Sequence, residues 1–198
     1  MFVQVIEGRA KDAQRIHEAL DRWERELSDG AIGWLGSTEG VTDDGRFMAV
    51  VRFESETAAR RNSDRPEQDQ WWREMSKLLD GPANFYETSE VDADIIGDPD
   101  EAGFVQIMRG RLTDPERAKA MFSEMESSLH QARPDIMGAT LAIEDDGSFM
   151  ETVAFTSEAA ARDGERQEMP EDVRERMESV MTVEQFIDLR HPFFTTHA

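Results

Sequence analysis

Apolar residues recur along this chain with two different periods, and the alternation between them predicts its elements. Phe2, Val3, Val5 and Ile6 read as a strand over residues 2–7, apolar on both faces. Asp12 offers N-cap chemistry to a helix whose Ile16, Leu20, Trp23 and Leu27 fall on one stripe. Trp34 to Val41 and Phe47 to Phe53 follow as an antiparallel pair, joined by a turn containing Asp44-Gly45, where glycine tolerates the positive φ of a tight hairpin. A second helical region begins near Ser55-Glu56 and resumes after Pro66 with Trp71, Met75, Leu78 and Leu79. After the Gly81-Pro82 break, residues 84–91 read as a closing strand, giving the order β-α-β-β-α-β.

The same pattern then repeats. Phe2-Val3-Gln4-Val5-Ile6-Glu7-Gly8-Arg9 reappears as Phe104-Val105-Gln106-Ile107-Met108-Arg109-Gly110-Arg111, and Asp43-Asp44-Gly45 as Asp145-Asp146-Gly147. Ser55-Glu56 and Ala58-Ala59-Arg60 return as Ser157-Glu158 and Ala160-Ala161-Arg162. About 24 of roughly 80 ungapped positions are identical, against about 5 for unrelated chains, which marks a tandem duplication. In the second copy Asp114-Pro115 starts the first helix, with Ala118, Phe122, Met125 and Leu129 on its stripe. The reading is α+β, with a ferredoxin-like repeat at 1–96, a linker at 97–103 rich in Asp, Gly and Pro, and a second ferredoxin-like repeat at 104–198. A four-stranded sheet with both helices on one face leaves the other bare, yet Val3 and Val5 face that side. A second copy is the expected cover, which predicts an intrachain pseudo-dimeric α+β barrel.

Composition narrows the function. The 198 residues carry 22 basic and 43 acidic side chains, a net charge of -21, and the two halves share the imbalance evenly. Such a surface repels phosphates, so neither nucleic acid nor an anionic membrane is an expected partner. Mean hydropathy is -0.63, no apolar run approaches the roughly 18 residues of a transmembrane helix, and the first residues do not begin a signal peptide; a cytoplasmic protein is expected. With no cysteine, disulfides, thiolate metal sites and cysteine nucleophiles are excluded together.

The element order, the duplication and the Phe-x-Ser-x-x-Ala-Ala segment (Phe53, Ser55, Ala58, Ala59) resemble the dimeric α+β barrel superfamily, and within it the antibiotic biosynthesis monooxygenase branch. The resemblance implies a ligand cavity between the sheet and the helices of a ferredoxin-like unit, and includes cofactor-independent oxygenases and haem-degrading enzymes. The haem-degrading members use an Asn in the first strand, a Trp in the second helical region and a His on iron. Here Gln4 and Gln106 stand at the Asn position, Asn62 and Gly164 fall near the Trp position, and neither second helical region holds a His. Haem is therefore not expected, and no cofactor or metal is assigned: His17, His130, His191 and His197 occupy no metal-ligand spacing.

Comparing the copies separates packing from chemistry. Trp23, Trp34 and Trp71 pair with Met125, Ile136 and Val173 and read as core; Trp72 pairs with Arg174, and lines either a cavity or the surface. Arg52 pairs with Ala154 and predicts either a rim salt bridge or an anchor for an anionic ligand. Tyr86, the single tyrosine, offers a hydroxyl to a phenolic ligand. Two functions follow. One is a monooxygenase-like protein oxidising an aromatic small molecule held by Gln4, Asn62, Trp72, Tyr86 and Arg52, with no catalytic residue assigned. The other is a non-catalytic small-molecule-binding or structural barrel. A chain that closes its own barrel is expected as a monomer or a homodimer.

Overall fold

The computed structural model describes residues 1–95, 101–168 and 170–195, excepting the side chains at 94, 95 and 125–130. The chain divides into two compact units, Met1–Val91 with His191–Ala198, and Asp92–Arg190. Both are α+β and ferredoxin-like, the tandem form of the class that the repeat predicts.

In the first unit β1 (Phe2–Arg9) lies between β3 (Arg46–Phe53) and β4 (Asn84–Thr88), and β2 (Trp34–Val41) pairs with the outer side of β3, all antiparallel. Gly45, at φ 86°, makes the β2–β3 turn as its position after Asp44 predicts. Helix α1 (Ala13–Leu27) starts where Asp12 accepts a hydrogen bond from the Arg15 backbone N–H, and it buries the predicted stripe of Ile16, Leu20, Trp23 and Leu27. The second helical region is two helices: α2 (Glu56–Ser63), capped by Ser55, and α3 (Pro66–Met75), opened by its proline. Helices and sheet enclose one core around Trp23, Trp34, Phe47, Phe53, Trp71 and Met75. On the opposite face of the sheet Val3, Val5, Met48 and Val50 are buried as well.

The expected strand over 84–91 is broken. β4 stops at Thr88, and β5 (Glu90–Ile95) becomes an edge strand of the other sheet, whose order is β5-β7-β8-β6-β9. That sheet comprises β6 (Phe104–Leu112), β7 (Ile136–Ile143), β8 (Ser148–Phe155) and β9 (Met181–Leu189), with α4 (Pro115–Ala132), α5 (Glu158–Glu165, capped by Ser157) and α6 (Glu171–Val180). Reciprocally β10 (Phe193–Thr195) leaves the second repeat and pairs with β2, so the first sheet reads β10-β2-β3-β1-β4. The sequence repeats, 1–96 and 104–198, thus do not coincide with the compact units, because each sheet completes its edge with the segment that follows the other repeat. Of the expected linker at 97–103, residues 97–100 lie outside the described residues; Gly103 already donates a backbone hydrogen bond to Phe155. The stripe positions Met125 and Leu129 also lie outside the described side chains, whereas Ala118 is buried as expected.

The β10 pairing predicts a stability cost that the repeat boundaries do not. Ending the chain at Arg190 removes the strand, its backbone bonds and the buried Thr195, which at about 1 kcal/mol per hydrogen bond costs about 3 kcal/mol. Calorimetry should then show Tm lower by roughly 6–12 °C; a truncated chain melting with the parent would show that β10 holds nothing.

Candidate functional site

Strand alternation decides which side chains of the first sheet turn toward the helices. On β1 these are Gln4 and Ile6; on β3, Phe47, Ala49, Val51 and Phe53; on β2, after a bulge between Trp34 and Gly36, Ser37 and Glu39. Across from them α1 contributes Leu20 and Trp23, α2 Asn62, and α3 Gln68, Trp71 and Trp72, while β10 adds Thr195. Together they line a cavity of about 60 Å³. That is room for a couple of waters at about 30 Å³ each, and under half of the roughly 150 Å³ that accepts a benzene.

All four tryptophans of the chain line this one cavity. Trp23 meets Trp34 edge to face at 4.9 Å and Trp71 at 6.4 Å, and Trp72 packs 6.2 Å from Trp71 and 5.3 Å from Phe85. The Trp23 indole N–H donates to Gln68 Oε1 at 2.6 Å and that of Trp71 to the Ala19 carbonyl at 3.0 Å. Trp23, Trp34 and Trp71 are core residues, as predicted, and cavity walls at once. Gln4, Ile6, Val51, Gln68 and Trp72 are the half-exposed members of the lining, and of these Gln68 and Trp72 come from the helices.

The structure brings Gln4, Asn62 and Trp72 together and leaves Arg52 and Tyr86 out of the lining. Arg52 lies between Val51 and Phe53 and points to the opposite face, where it donates to Thr38 Oγ1. The expected partner was a carboxylate or an anionic ligand; a hydroxyl takes part of that place. Burial lowers the Arg52 pKa to about 10 while the charge of Glu39 raises it, so the guanidinium stays charged at neutral pH. Tyr86 is opposite Val5 in the register and shares the face of that residue, away from Gln4.

Gln4 has a structural partner as well as a place in the wall. Its Nε2 donates to Glu87 Oε1 at 2.7 Å, and Arg60 on α2 grips the same carboxylate through Nη1 at 3.1 Å and Nη2 at 2.5 Å. The second unit repeats the arrangement: Gln106 donates to Asp188 at 3.2 Å and Glu165 at 3.0 Å, and Arg162 on α5 binds both acids. The amide shared by both copies is therefore explained by this helix-to-sheet bond. Asn62 is buried, its Oδ1 accepting from Arg65 Nη1 at 2.9 Å, and Arg65 in turn donates to the Leu27 carbonyl at 3.0 Å.

The residue that sequence reasoning missed is Glu39. Its side chain is 5% exposed, and its Oε2 has no hydrogen-bond partner among the described residues. Burial pushes its pKa up to about 7; a hydrogen bond from Ser37 and the charge of Arg52 oppose the rise, and Glu24 on α1 adds to it. The Ser37 and Thr195 hydroxyls are 2.5 Å apart, so a chain of three polar groups runs from Glu39 to β10. The second unit carries a carboxyl on the same sheet face by a different route. Position 141, the counterpart of Glu39, is Leu, and Glu151 stands at the counterpart of Ala49; each is the cross-strand neighbour of the other. Burial lifts Glu151 to about 7 too, although it retains some exposed surface and so weighs less than Glu39.

No histidine among the described residues belongs to the cavity lining, so those residues do not fit a ligated haem. Among the described residues no group of three or more His, Asp and Glu side chains is placed to hold a metal, and no helix is long and apolar enough to cross a membrane. His17 packs on Phe193 at 4.7 Å, and His130 and His197 lie outside the described side chains.

These shifts set a pH dependence of opposite sign to that of a salt-bridged acid. Because Glu39 and Glu151 hold their protons more tightly folded (about 7) than unfolded (4.5), stability falls as pH rises from 4.5 to 7 and is level above it. Each contributes about 3 kcal/mol over that window. Arg-paired carboxyls such as Asp135, Glu74 and Glu158 are shifted down and titrate beneath it. Urea unfolding across pH 4.5–7.5 should show the slope reduced in Glu39→Gln and nearly abolished in Glu39→Gln/Glu151→Gln; an unchanged slope would mean that neither acid is buried in solution.

No protein-family profile and no curated protein matches the sequence. Solved structures do match over nearly its whole length. A protein of Lactobacillus acidophilus NCFM provisionally described as a monooxygenase superposes with a TM-score of 0.78 at 10% identity, covering 98% of this chain and 95% of its own. A protein of Fusobacterium nucleatum subsp. nucleatum, described in the same way, gives 0.76 at 9% identity, covering 98% and 94%. An anthrone oxidase-like protein gives 0.63 at 10% identity, covering 98% and 93%. This chain accordingly has the fold of the antibiotic biosynthesis monooxygenase-like ferredoxin-fold proteins, as a tandem duplication.

Proposed function

We propose that the first unit binds a ring-bearing small molecule in the tryptophan-lined cavity and presents it to molecular oxygen, as a monooxygenase-like protein. The observation that carries this reading is the gathering of all four tryptophans, with one unpartnered carboxyl oxygen, around a single cavity in the half that also holds Gln4 and Asn62. Aromatic walls favour a flat apolar ligand through edge and offset contacts, and a few polar groups orient it. The fold shared with two proteins described as monooxygenases and with an anthrone oxidase-like protein supports the class of reaction. For a ring methylene of the anthrone kind the chemistry balances without help from a side chain that changes oxidation state. One C–H proton leaves, the resulting carbanion gives electrons to O₂, and the carbon ends as a carbonyl while the second oxygen departs as water. The protein supplies position and a dry, polarised setting.

The cavity is smaller than a ring requires, so a ligand enters by displacing the half-exposed Trp72 and Gln68. The same small volume favours the second reading, a binding protein without turnover. Since every tryptophan lies in the cavity wall, tryptophan fluorescence of the folded protein reports on its occupancy. Phenol should quench or shift the emission, Trp72→Ala should weaken phenol binding about fivefold to tenfold, and oxygen uptake should accompany addition of anthrone. Binding without oxygen uptake selects the second reading; no change of fluorescence with either compound removes both.

A further inference from the structure

We propose that Glu39 is the proton-accepting group of this cavity and that the ligand it serves carries a ring hydroxyl. The inference rests on the reading that a ring occupies the cavity. It deepens that reading by naming the chemical class of the ligand and the group that meets it.

The geometry is that of a carboxyl built in and left incomplete. Glu39 is almost wholly removed from solvent; a hydrogen bond with Ser37 reaches its carboxyl, and Oε2 has no partner among the described residues. An unpartnered buried acceptor costs free energy in the empty protein, and a ligand donor recovers it. The walls of the cavity are Trp23, Trp34, Trp71 and Phe47, which accept a ring, and among the described residues no cation lines it to satisfy the carboxylate in place of a ligand. The charged groups acting on Glu39 are Glu24 on α1 and Arg52 on β3. His17, also on α1, touches Phe193, the cross-strand neighbour of Glu39, and lies 3.9 Å from Asp21. From β1, α3 and β10 the groups lining the cavity are uncharged: Gln4 and Ile6, then Gln68, Trp71 and Trp72, then Thr195.

The step is a proton transfer with no change of oxidation state. The ligand O–H bond breaks, an Oε2–H bond forms, and the electron pair stays on the ring oxygen. The Ser37 hydroxyl, next to that of Thr195, holds the ionised carboxylate in readiness. An acid that titrates close to neutrality exchanges protons in both directions under ordinary conditions, which a surface carboxylate does not.

The test uses the full chain and phenol as the probe, with affinity read from tryptophan fluorescence between pH 5.5 and 8.5. In the parent protein phenol should bind about tenfold more tightly at pH 8.5 than at pH 5.5, because only ionised Glu39 accepts its proton in a charge-assisted bond. Glu39→Gln, nearly the same shape, should bind with the same affinity, within twofold, at both ends. Ser37→Ala should move the midpoint to higher pH, since the hydrogen bond that holds the Glu39 pKa down is gone. Phenol affinity independent of pH in the parent, a tenfold span that survives in Glu39→Gln, or a midpoint unmoved in Ser37→Ala would each overturn the assignment while leaving the cavity a ring site. Phenol that changes the fluorescence of neither parent nor Glu39→Gln at any pH would overturn the ring-binding reading itself, and the assignment with it.

Discussion

The pairing of β10 with β2 is the constraint on which the first unit depends. Phe193 falls opposite Glu39 and Thr195 opposite Ser37, so the strand lays an aromatic ring and a hydroxyl along the inward face of the strand that carries Glu39. Without it β2 would be an open edge, and an open edge admits water to its own backbone and to the side chains beside it. The elevated proton affinity of Glu39 is a consequence of that dryness. Burial is its largest cause, and the cross-strand position of Phe193 is part of what provides the burial. A sheet closed by a segment almost two hundred residues from its first strand ties the chemistry of the cavity to the intact chain.

The legibility of these features in the sequence follows the range of the interactions that make them. The stripe of α1, the Gly45 turn, the serine caps of α2 and α5 and the proline start of α3 are all fixed within a few residues, and each stands where periodicity and cap chemistry put it. The repeat is legible because both copies bury the same positions. The split after Thr88 is not, since Asn84 to Val91 reads as one strand, and only pairing with different sheets separates its halves. Glu39 escaped for a related reason. Comparing position with position sets Glu39 against Leu141 and Ala49 against Glu151, two unremarkable differences, whereas the strand register shows one carboxyl moved across a rung. Arg52 and Tyr86 look as chemical as Gln4 and Trp72 in the sequence; parity along β3 and β4 alone turns them to the other face.

Two kinds of carboxylate recur in this acidic chain, and the difference between them is a matter of partners. Glu87 and Asp188 are gripped by Arg60 and Arg162 and receive a glutamine amide, which fixes α2 and α5 to the sheet. Such part-exposed pairs contribute modestly, because solvent screens them, but both units keep them. Among the described residues Glu39 and Glu151 are gripped by no such cation, and what they gain is proton affinity near neutrality. A fold that could have filled these positions with Leu and Ala, as each unit does at one of them, instead keeps one acid per unit at a cost in stability. Local costs of that kind are where functional or strained positions of a protein are expected.

The duplication explains how the two units could diverge without losing the fold. Gly45 and Gly147, the two bulges after Trp34 and Ile136, and the paired glutamine networks maintain the same backbone in both. Against that common frame the aromatic walls differ: the positions of Trp23, Trp34, Trp71 and Trp72 correspond in the repeat to Met125, Ile136, Val173 and Arg174. The core of the second unit is correspondingly divided into two smaller clusters among the described residues, one around Phe149 and Met181 and one around Phe104 and Phe155. All four tryptophans fall in the first copy and none in the second, so the aromatic cavity lining belongs to one half, whose sheet the chain's final described strand, β10, closes.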